Sequence, residues 1–163
     1  MQILCTQIKI PFQELLMPFE QLKLENQLCH RLYMASNSIT RAYREPLAKI
    51  NLTYPQYIVM MALWEQDKIT IAKLIEKTAI DGGALTQILK KMTEKKLLSV
   101  VKDKQDQRKR LIQLSTSGQA LKLNAADIPK QIHCKFESID SEKALQLLAS
   151  LDLVIKDLNE PTQ

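Results

Sequence analysis

The sequence predicts a mainly α-helical fold with one small β-hairpin, and three observations support that fold class. Gly is scarce, with three in 163 residues, while Leu, Lys, Gln and Ala are abundant, a composition that favours helices. Apolar residues recur every three or four positions along most of the chain, which is the spacing of one helix face. Only residues 100–112 differ, since two short apolar runs there flank a polar turn.

The overall composition limits what kind of protein this is. A chain of 163 residues that is 45% apolar and 25% charged is globular and can bury one sizeable core. The N-terminal stretch has no basic segment and is interrupted by Pro11 and Pro18, so we do not expect a signal peptide. No apolar run approaches the roughly 20 residues that a membrane span needs, and we expect a cytoplasmic protein. The sequence has no recognisable Gly-rich phosphate loop, Ser/His/Asp set or paired-carboxylate site, so we do not expect an enzyme.

Prolines divide the first part of the chain. Residues 1–21 have no regular pattern and are interpreted as an N-terminal arm, in which Cys5 is an adventitious exposed thiol. Residues 24–49 have apolar positions at helical spacing and predict a long first helix. Pro46 should end or kink this helix, because proline lacks the N–H that a helix interior requires.

A second helix is predicted to begin after Thr53. Thr53 and Gln56 have the spacing of a capping box, and Pro55 falls in the first turn, where its missing N–H costs little. The helix should run to about Gln66. Because it is apolar almost all round, we expect a central buried helix, with a core that includes Tyr57, Met60, Met61 and Trp64.

A helix–turn–helix unit followed by a hairpin is predicted next. Thr70 should cap a short helix, residues 78–80 should form the turn, and Asp81 should cap the following helix. The hairpin pairs short strands at 100–101 and 111–112 across a polar tip. This order of elements is that of a winged helix–turn–helix. The inner face of its second helix consists of Leu85, Ile88, Leu89 and Met92.

Two further helices are predicted to complete the chain. Ser115 should cap a helix that continues past Pro129 toward Phe136. Asp140 or Ser141 should cap the last helix. The apolar stripe of that helix consists of Ala144, Leu147, Leu148, Leu151, Val154, Ile155 and Leu158.

The terminal helices carry more apolar surface than one small lobe can cover. A second copy of the chain would cover it, so we expect a two-fold homodimer. The dimer would present two DNA-reading helices about one DNA turn apart, roughly 34–36 Å. We therefore expect one intertwined domain, in which dimerisation helices at 22–50 and 115–163 flank a winged helix–turn–helix lobe at 51–114.

The positive charge is concentrated in the second half of this lobe. Residues 81–114 contain nine Lys or Arg and four acidic residues, a surplus of +5 that equals the net charge of the whole chain. The remaining residues balance, with 14 basic and 14 acidic. Charges that only solvate an exposed surface are usually offset, whereas an excess confined to one helix and hairpin is typical of a polyanion-binding surface. With a helix–turn–helix, the polyanion is predicted to be double-stranded operator DNA.

The recognition helix supplies most of the predicted DNA contacts. Gly82 and Gly83 should let its N-terminus approach DNA closely, where exposed N–H groups and the helix dipole favour an anion. We assign the outward-facing Thr86 and Gln87 to base or backbone contacts. The lysines on the outer side are Lys90, Lys91 and Lys95, of which we assign Lys90 and Lys91 to phosphates.

The hairpin is predicted to be the wing. Arg108, with Lys104 and Lys109 beside it, should enter the minor groove, where narrow A·T tracts attract Arg. Asp106 is predicted to hold Arg108 in place by an ion pair. The wing therefore adds four residues to the predicted DNA interface.

The chain resembles the MarR family of winged-helix repressors. The family's core pattern matches residues 52–118 (LTYPQYIVMMALWE…IDGGALTQILKKM…DKQDQRKRLIQLSTSG), including the Asp106-x-Arg108 signature of the wing. Within the family, residues 26–57 (NQLCHRLYMASNSITRAYREPLAKINLTYPQY), together with Cys134, resemble the organic hydroperoxide sensors of the OhrR type. The resemblance implies a redox-sensing repressor without a cofactor, for which organic hydroperoxide is the inducer.

The resemblance implies a role for each matching residue. Cys29 occupies the position of the peroxidatic cysteine, and Tyr33, Tyr43 and Tyr54 occupy the positions whose phenols surround that sulfur. Cys134 matches the resolving cysteine of the two-cysteine branch, where it forms a disulfide with the peroxidatic cysteine of the other subunit. Cys29 should also lie near the start of its helix, where the helix dipole favours a thiolate.

Three other interpretations of these residues stay open. A MarR-type repressor released by a small aromatic ligand would use Cys29 and Cys134 only as ordinary helix residues. A thiol peroxidase would turn over with a thiol reductant. Zinc binding by the Cys29-His30 and His133-Cys134 pairs is disfavoured, because adjacent helix residues point about 100° apart and none of the usual ligand spacings occurs.

Overall fold

The computed structural model of the chain describes residues 19–103 and 106–159. The mainly helical fold with a small antiparallel sheet is confirmed. The chain divides into two compact units, the first ending at Arg41 and the second beginning at Ala42. The helices are α1 (Leu28–Lys49), α2 (Tyr54–Glu65), α3 (Ile71–Thr78), α4 (Gly82–Glu94), α5 (Thr116–Ala125), α6 (Ile128–His133) and α7 (Ser141–Asn159). The strands are β1 (Ile69–Thr70), β2 (Leu98–Lys102) and β3 (Arg110–Leu114).

The first unit enters α1 through irregular backbone. Two short 3₁₀ turns lie between residues 20 and 26, so α1 begins at Leu28 and not at residue 24 as predicted. The Asn26 side chain donates to the Glu20 carbonyl at 2.9 Å, and such side-chain bonds to backbone compete with helix formation. Cys29 is therefore the second residue of α1. The predicted arm, up to residue 18, and its cysteine lie outside the described residues.

Pro46 does not end α1, and this part of the prediction was wrong. The proline is buried inside the helix, and α1 continues for three residues to Lys49. A proline this close to the C-terminus removes only the hydrogen bond to the Ala42 carbonyl, so the last turn still forms. The chain instead leaves the helix through Asn51, whose φ of 54° is left-handed.

α2 is buried at the centre of the second unit, as predicted. The Thr53 N–H donates to Gln56 Oε1 at 3.2 Å, which confirms the capping contact at the start of the helix. The helix ends at Glu65, within one residue of the predicted end. Its buried residues are Gln56, Tyr57, Val59, Met60, Ala62 and Leu63.

The C-terminal half of α2 also has a partly exposed side. Met61 is 38% exposed, so its assignment to the core was wrong, whereas Met60 is fully buried. Trp64 is half-buried and its Nε1 donates to the Gly118 carbonyl at 2.9 Å. This bond joins α2 to α5 and satisfies the indole N–H, which a purely apolar core position would leave without a partner.

The hairpin belongs to a three-stranded antiparallel sheet in the order β1–β3–β2. The predicted pairing of the two wing strands is confirmed, with Val100 opposite Ile112. The third strand was not predicted: Ile69 also lies opposite Ile112, on the other side of β3. Two residues are too few to show alternation in sequence, and β1 exists only because the fold brings it beside β3.

The single helix predicted after Ser115 is two helices, α5 and α6, and the prediction was wrong on this point. The break falls at residues 126–127, and Pro129 becomes the second residue of α6. Proline in a continuous helix would clash with the carbonyl four residues earlier, at Ala125, whereas a first-turn position accommodates it. The cap of α7 is confirmed, since Asp140 Oδ1 accepts the Lys143 N–H at 2.9 Å.

α7 exposes apolar side chains along its length. None of its residues is buried within the chain. The exposed large apolar residues are Leu145, Leu147, Leu148, Leu153, Ile155 and Leu158. Leu147, Leu148, Ile155 and Leu158 belong to the predicted stripe and lie on one side of the helix, and an exposed apolar stripe is typical of a protein interaction surface.

No helix in residues 19–103 and 106–159 is both long enough and apolar enough to span a membrane.

Gly118 gives a prediction about stability. A Cβ at this position would lie 2.0 Å from the Leu97 carbonyl oxygen, so the backbone of α5 must move to accept Gly118→Ala. We expect a loss of about 1–3 kcal/mol in the free energy of unfolding, measured by urea denaturation. The matched control is Gly82→Ala, whose Cβ would meet only Ile75 Cδ1, at an ordinary 3.5 Å. Equal stability of the two variants would contradict this account of Gly118.

Candidate nucleic-acid interface and sensor site

The turn between α3 and α4 has the predicted helix–turn–helix geometry. Thr70 Oγ1 accepts the Lys73 N–H at 3.2 Å and caps α3. Ala79 then adopts a left-handed φ of 52°, which ends α3 and redirects the chain. Asp81 Oδ1 accepts the Gly83 N–H at 2.8 Å and caps the N-terminus of α4.

The two faces of α4 differ as predicted. Leu85, Leu89 and Met92 are buried, and Ile88 is half-buried. The side chains of the outer face that are exposed to solvent are Thr86, Gln87, Lys90 and Lys91. The Thr86 hydroxyl donates to the Gly82 carbonyl at 2.8 Å, so its oxygen remains available as an acceptor.

The N-terminus of α4 is not an open anion site, and the prediction needs correction here. The Asp81 carboxylate accepts the N–H groups of both Gly83 and Ala84, at 2.8 and 3.2 Å, and places a negative charge where a phosphate was expected. The absent side chain at Gly83 leaves room for this cap, because a Cβ there would lie 3.1 Å from Asp81 Oδ1. Gly83 therefore accommodates the cap, whereas a Cβ at Gly82 would meet only the side chain of Ile75 at 3.5 Å.

The tip of the wing is organised by acidic side chains. Asp106 Oδ1 accepts the Arg108 backbone N–H at 3.1 Å, and Asp106 Oδ2 lies 3.8 Å from Lys109 Nζ. The predicted ion pair between Asp106 and the Arg108 guanidinium is not found in the described part of the chain. An Asp two residues earlier reaches the backbone N–H more readily than the end of the long Arg side chain. Arg108 and Lys109 are exposed, and Lys104 lies outside the described residues.

Two cations that sequence reasoning missed lie at the ends of the wing strands, next to the tip. Lys102 lies directly opposite Arg110 in the register of β2 and β3, and both are exposed. Like charges opposite each other weaken a sheet unless an anion lies between them. Only the register places them together, so hairpin alignment was the one sequence signal that would have found them.

Lys95 does not belong to the outer face of α4, and its predicted orientation was wrong. Its Nζ donates to the Asn51 carbonyl at 2.6 Å and to Gln56 Oε1 at 3.0 Å. The residue is half-buried, whereas Lys90 and Lys91 are exposed. One of the nine positive charges of residues 81–114 therefore bonds to oxygens of the protein itself and does not belong to the outer face of α4.

The first unit places Cys29 and Tyr33 on one face of α1. They are four residues apart, a spacing at which helical side chains are neighbours. Both are exposed, and Cys29 is a free thiol in the first turn of the helix. Nδ1 of the adjacent His30 is buried and has no hydrogen-bond partner among the described residues. A thiol at a helix start lies where N–H groups favour negative charge.

In the second unit, the rings of Tyr43 and Tyr54 lie close together. Their ring centroids are 4.8 Å apart, and Tyr57 lies 5.8 Å from Tyr43. Burial raises the pKa of Tyr43 above 10.0, and the neighbouring Tyr54 raises it further. Burial likewise raises the pKa of Tyr57. These two phenols are therefore neutral near pH 7, and a neutral phenol can donate a hydrogen bond.

Cys134 follows the last residue of α6 and is an exposed, free thiol. It belongs to the second unit, whereas Cys29 belongs to the first. No cluster of three or more His, Cys, Asp or Glu that would hold a metal ion occurs within residues 19–103 and 106–159.

Comparison with known proteins identifies the family. The model of the transcriptional regulators SarA/Rot matches residues 41–125. The organic hydroperoxide resistance transcriptional regulator of Bacillus subtilis is 37% identical over 142 residues, which are 87% of this chain and 96% of that protein.

Two solved structures of AbfR have the same fold. AbfR of Staphylococcus epidermidis is 26% identical, with a TM-score of 0.71 over 87% of this chain and 97% of that one. The structure of reduced AbfR bound to DNA is 25% identical, with a TM-score of 0.69 over 88% and 100% of the two chains. These relatives are regulators of transcription and not enzymes. The chain belongs to the SarA/Rot family of DNA-binding transcriptional regulators, which have the MarR-type winged-helix fold.

Proposed function

We propose that the chain is a redox-sensing repressor that binds operator DNA as a homodimer. Oxidation of Cys29 by an organic hydroperoxide, and its resolution by Cys134 of the partner subunit, release the DNA. The observation that carries the proposal is the position of Cys29, an exposed thiol in the first turn of α1 with Tyr33 beside it on the same face. The name of the Bacillus subtilis relative, which refers to organic hydroperoxide resistance, supports the choice of oxidant.

The DNA contacts are assigned to the exposed face of α4 and to the wing. Lys90 and Lys91 lie on the exposed face of α4, and phosphate contacts from this face would orient the helix in the major groove. Thr86 and Gln87 lie nearer its N-terminus, where recognition helices contact base edges. The wing adds Arg108 and Lys109 at its tip, and the paired Lys102 and Arg110 where its strands meet the tip.

The salt dependence of DNA binding tests these lysines. We expect Lys90→Met and Lys91→Met each to reduce the slope of log affinity against log salt by about 0.9, because each removes one phosphate contact. Lys130→Met is a matched control, since Lys130 is an exposed lysine on α6 outside the charged lobe. Binding to a DNA duplex is measured by fluorescence anisotropy between 50 and 200 mM salt. Unchanged slopes in both α4 variants would remove these residues from the interface.

The chemistry begins with the Cys29 thiolate. Its sulfur attacks the terminal oxygen of the hydroperoxide, the O–O bond breaks, and the alkoxide leaves as an alcohol after taking a proton. The sulfur loses two electrons and becomes a sulfenic acid, and the hydroperoxide gains them. The thiolate of Cys134 of the partner subunit then attacks this sulfur, which forms the S–S bond and releases the hydroxyl as water.

The phenols of Tyr33, Tyr43 and Tyr54 are assigned to the sensor pocket. Phenolic O–H groups stabilise a thiolate by hydrogen bonding, and they bind the peroxide oxygens in the same way. The contact between the rings of Tyr43 and Tyr54, whose centroids are 4.8 Å apart, supports this assignment because it brings two of the three phenols together.

The homodimer is proposed from the apolar face of α7. Its leucines and isoleucine are exposed to solvent, and a second copy of the same helix would bury them against apolar side chains of the same kind. Dimerisation is also needed for the proposed disulfide, which joins two subunits. A bridge requires Cα atoms within about 7 Å, so its formation would shift the helices that carry the cysteines.

Replacement of Cys29 tests the sensor. Wild-type protein treated with one equivalent of cumene hydroperoxide should lose at least about fivefold in operator affinity and form a disulfide-linked dimer on a non-reducing gel. Cys29→Ser should stay on the DNA and remain monomeric on the gel. Cys5→Ser is the matched control and should behave as wild type. Release of Cys29→Ser by the same dose would contradict the proposal.

A second candidate function is release by a small aromatic ligand. A groove of about 350 Å³ between α2, α5 and α6 favours it, because its walls are largely apolar. Met61, Trp64 and Pro129 supply apolar walls, and Lys122 supplies a cation. Under this alternative, Cys29→Ser and wild type would respond alike to the inducer.

A further inference from the structure

Lys95 is the C-cap residue of the recognition helix α4, and its side chain reaches toward residues 51 and 56. Its Nζ donates to the Asn51 carbonyl at 2.6 Å, to Gln56 Oε1 at 3.0 Å and to Asn51 Oδ1 at 3.4 Å. An ammonium group has three N–H donors, so these three acceptors use all of them. The acceptors are neutral oxygens that lie 44 and 39 residues earlier in the chain. The side chain therefore joins the end of α4 to a distant part of the fold.

Of the two residues that accept from Lys95, Gln56 is buried and Asn51 is exposed. Gln56 is 4% exposed, and its Oε1 also accepts the Thr53 N–H at 3.2 Å, so both of its lone pairs are used. Asn51 is the left-handed residue at which the chain turns from α1 toward α2. We call residues 51–56 the α1–α2 corner, and Lys95 is bound to both of its ends.

The same corner carries part of the proposed sensor pocket. Tyr54 is the first residue of α2 and lies two residues before Gln56, within one helical turn. Its ring packs on Tyr43, with centroids 4.8 Å apart. Because one helical turn moves as a unit, a displacement of Tyr54 also displaces the Gln56 oxygen that holds Lys95.

We propose that Lys95 is a positioning residue that ties the end of α4 to the α1–α2 corner, and that oxidation lowers operator affinity through this tie. The inference rests on the proposed function and adds the residue that links its two halves. A half-buried cation needs its oxygen partners, because leaving such a charge unmatched costs more than losing an ordinary hydrogen bond. When the α1–α2 corner moves, either α4 moves with it, or the hydrogen bonds of Lys95 break and no longer hold α4 in its position. Either change alters how α4 presents Thr86 and Lys90 to DNA.

A lysine at the end of a recognition helix is otherwise expected to contact phosphate. That role predicts a smaller salt slope for DNA binding when the lysine is replaced. A purely structural role predicts that replacement of the lysine weakens operator binding equally before and after oxidation. The proposed role predicts an unchanged salt slope and a smaller difference between the operator affinities of the reduced and the oxidised protein. One set of measurements therefore separates the three roles.

The test uses the full-length chain and a DNA duplex selected by the reduced wild-type protein from a random-sequence library. Lys95→Met removes the donors and keeps the aliphatic stem. Lys77→Met is the matched control: Lys77 is also half-buried, and its Nζ donates to Glu65 Oε1 at 2.9 Å, 12 residues earlier in the chain, but it lies on α3. Operator affinity is measured across a salt series, before and after one equivalent of cumene hydroperoxide.

We expect Lys95→Met to bind with the wild-type salt slope, while the ratio of its affinities before and after oxidation falls to within about threefold of one. Wild type and Lys77→Met should both keep a ratio of about 5 to 150. If circular dichroism shows Lys95→Met to be unfolded, Lys95→Gln replaces it with the same expectation. It keeps amide donors on a shorter side chain.

Two results overturn the inference and leave the proposed function intact. One is a Lys95 variant that retains the wild-type ratio, and the other is a salt slope reduced by about 0.9, as expected for Lys91→Met. If wild type itself keeps its affinity after oxidation, the proposed function fails and the inference fails with it. The measurement on the wild-type protein therefore distinguishes failure of the proposed function from failure of the proposed role of Lys95.

Discussion

Burial of α2 is the constraint on which the second unit depends. A helix that is apolar on nearly all sides is stable in water only when neighbours cover most of its surface, and α3, α4, α5 and β3 all pack against this one. Val59 and Met60 are fully buried, and each such side chain contributes about 1.5–3 kcal/mol. The few polar groups of α2 are satisfied, with Trp64 bonded to α5 and Gln56 to Thr53 and Lys95. The orientation of the recognition helix and wing therefore follows from the packing of α2.

The first turn of α2 also brings the two halves of the proposed function together. Tyr54 packs on Tyr43 on one side, and Gln56 binds the end of the recognition helix on the other. A signal from the sensor pocket needs no long path through the core, because one turn of helix belongs to both sites. Burial of Gln56 is then not an anomaly, since its oxygen is the acceptor that both the helix cap and Lys95 require.

The positive charges of the lobe fall into two groups with different physical roles. Lys95 is held by neutral oxygens inside the fold. Lys90, Lys91, Lys102 and Arg110 are exposed, and the last two oppose each other across the hairpin. Repulsion of this kind weakens the free protein slightly and is relieved by phosphate, so it favours the DNA-bound state. The net charge alone does not separate the two groups, because it counts Lys95 with the others.

The sequence by itself determined the features that depend on near neighbours in the chain. Helix spacing, the caps at Thr70, Asp81 and Asp140, and the confinement of charge to residues 81–114 were all read correctly, because each involves residues a few positions apart. The tertiary structure alone decided the two-residue strand β1, the inward orientation of Lys95 and the pairing of Lys102 with Arg110. These depend on residues distant in sequence or on strand register, and local propensity carries no information about such contacts. The continuation of α1 through Pro46 belongs with them, since packing of the buried proline outweighs one lost hydrogen bond.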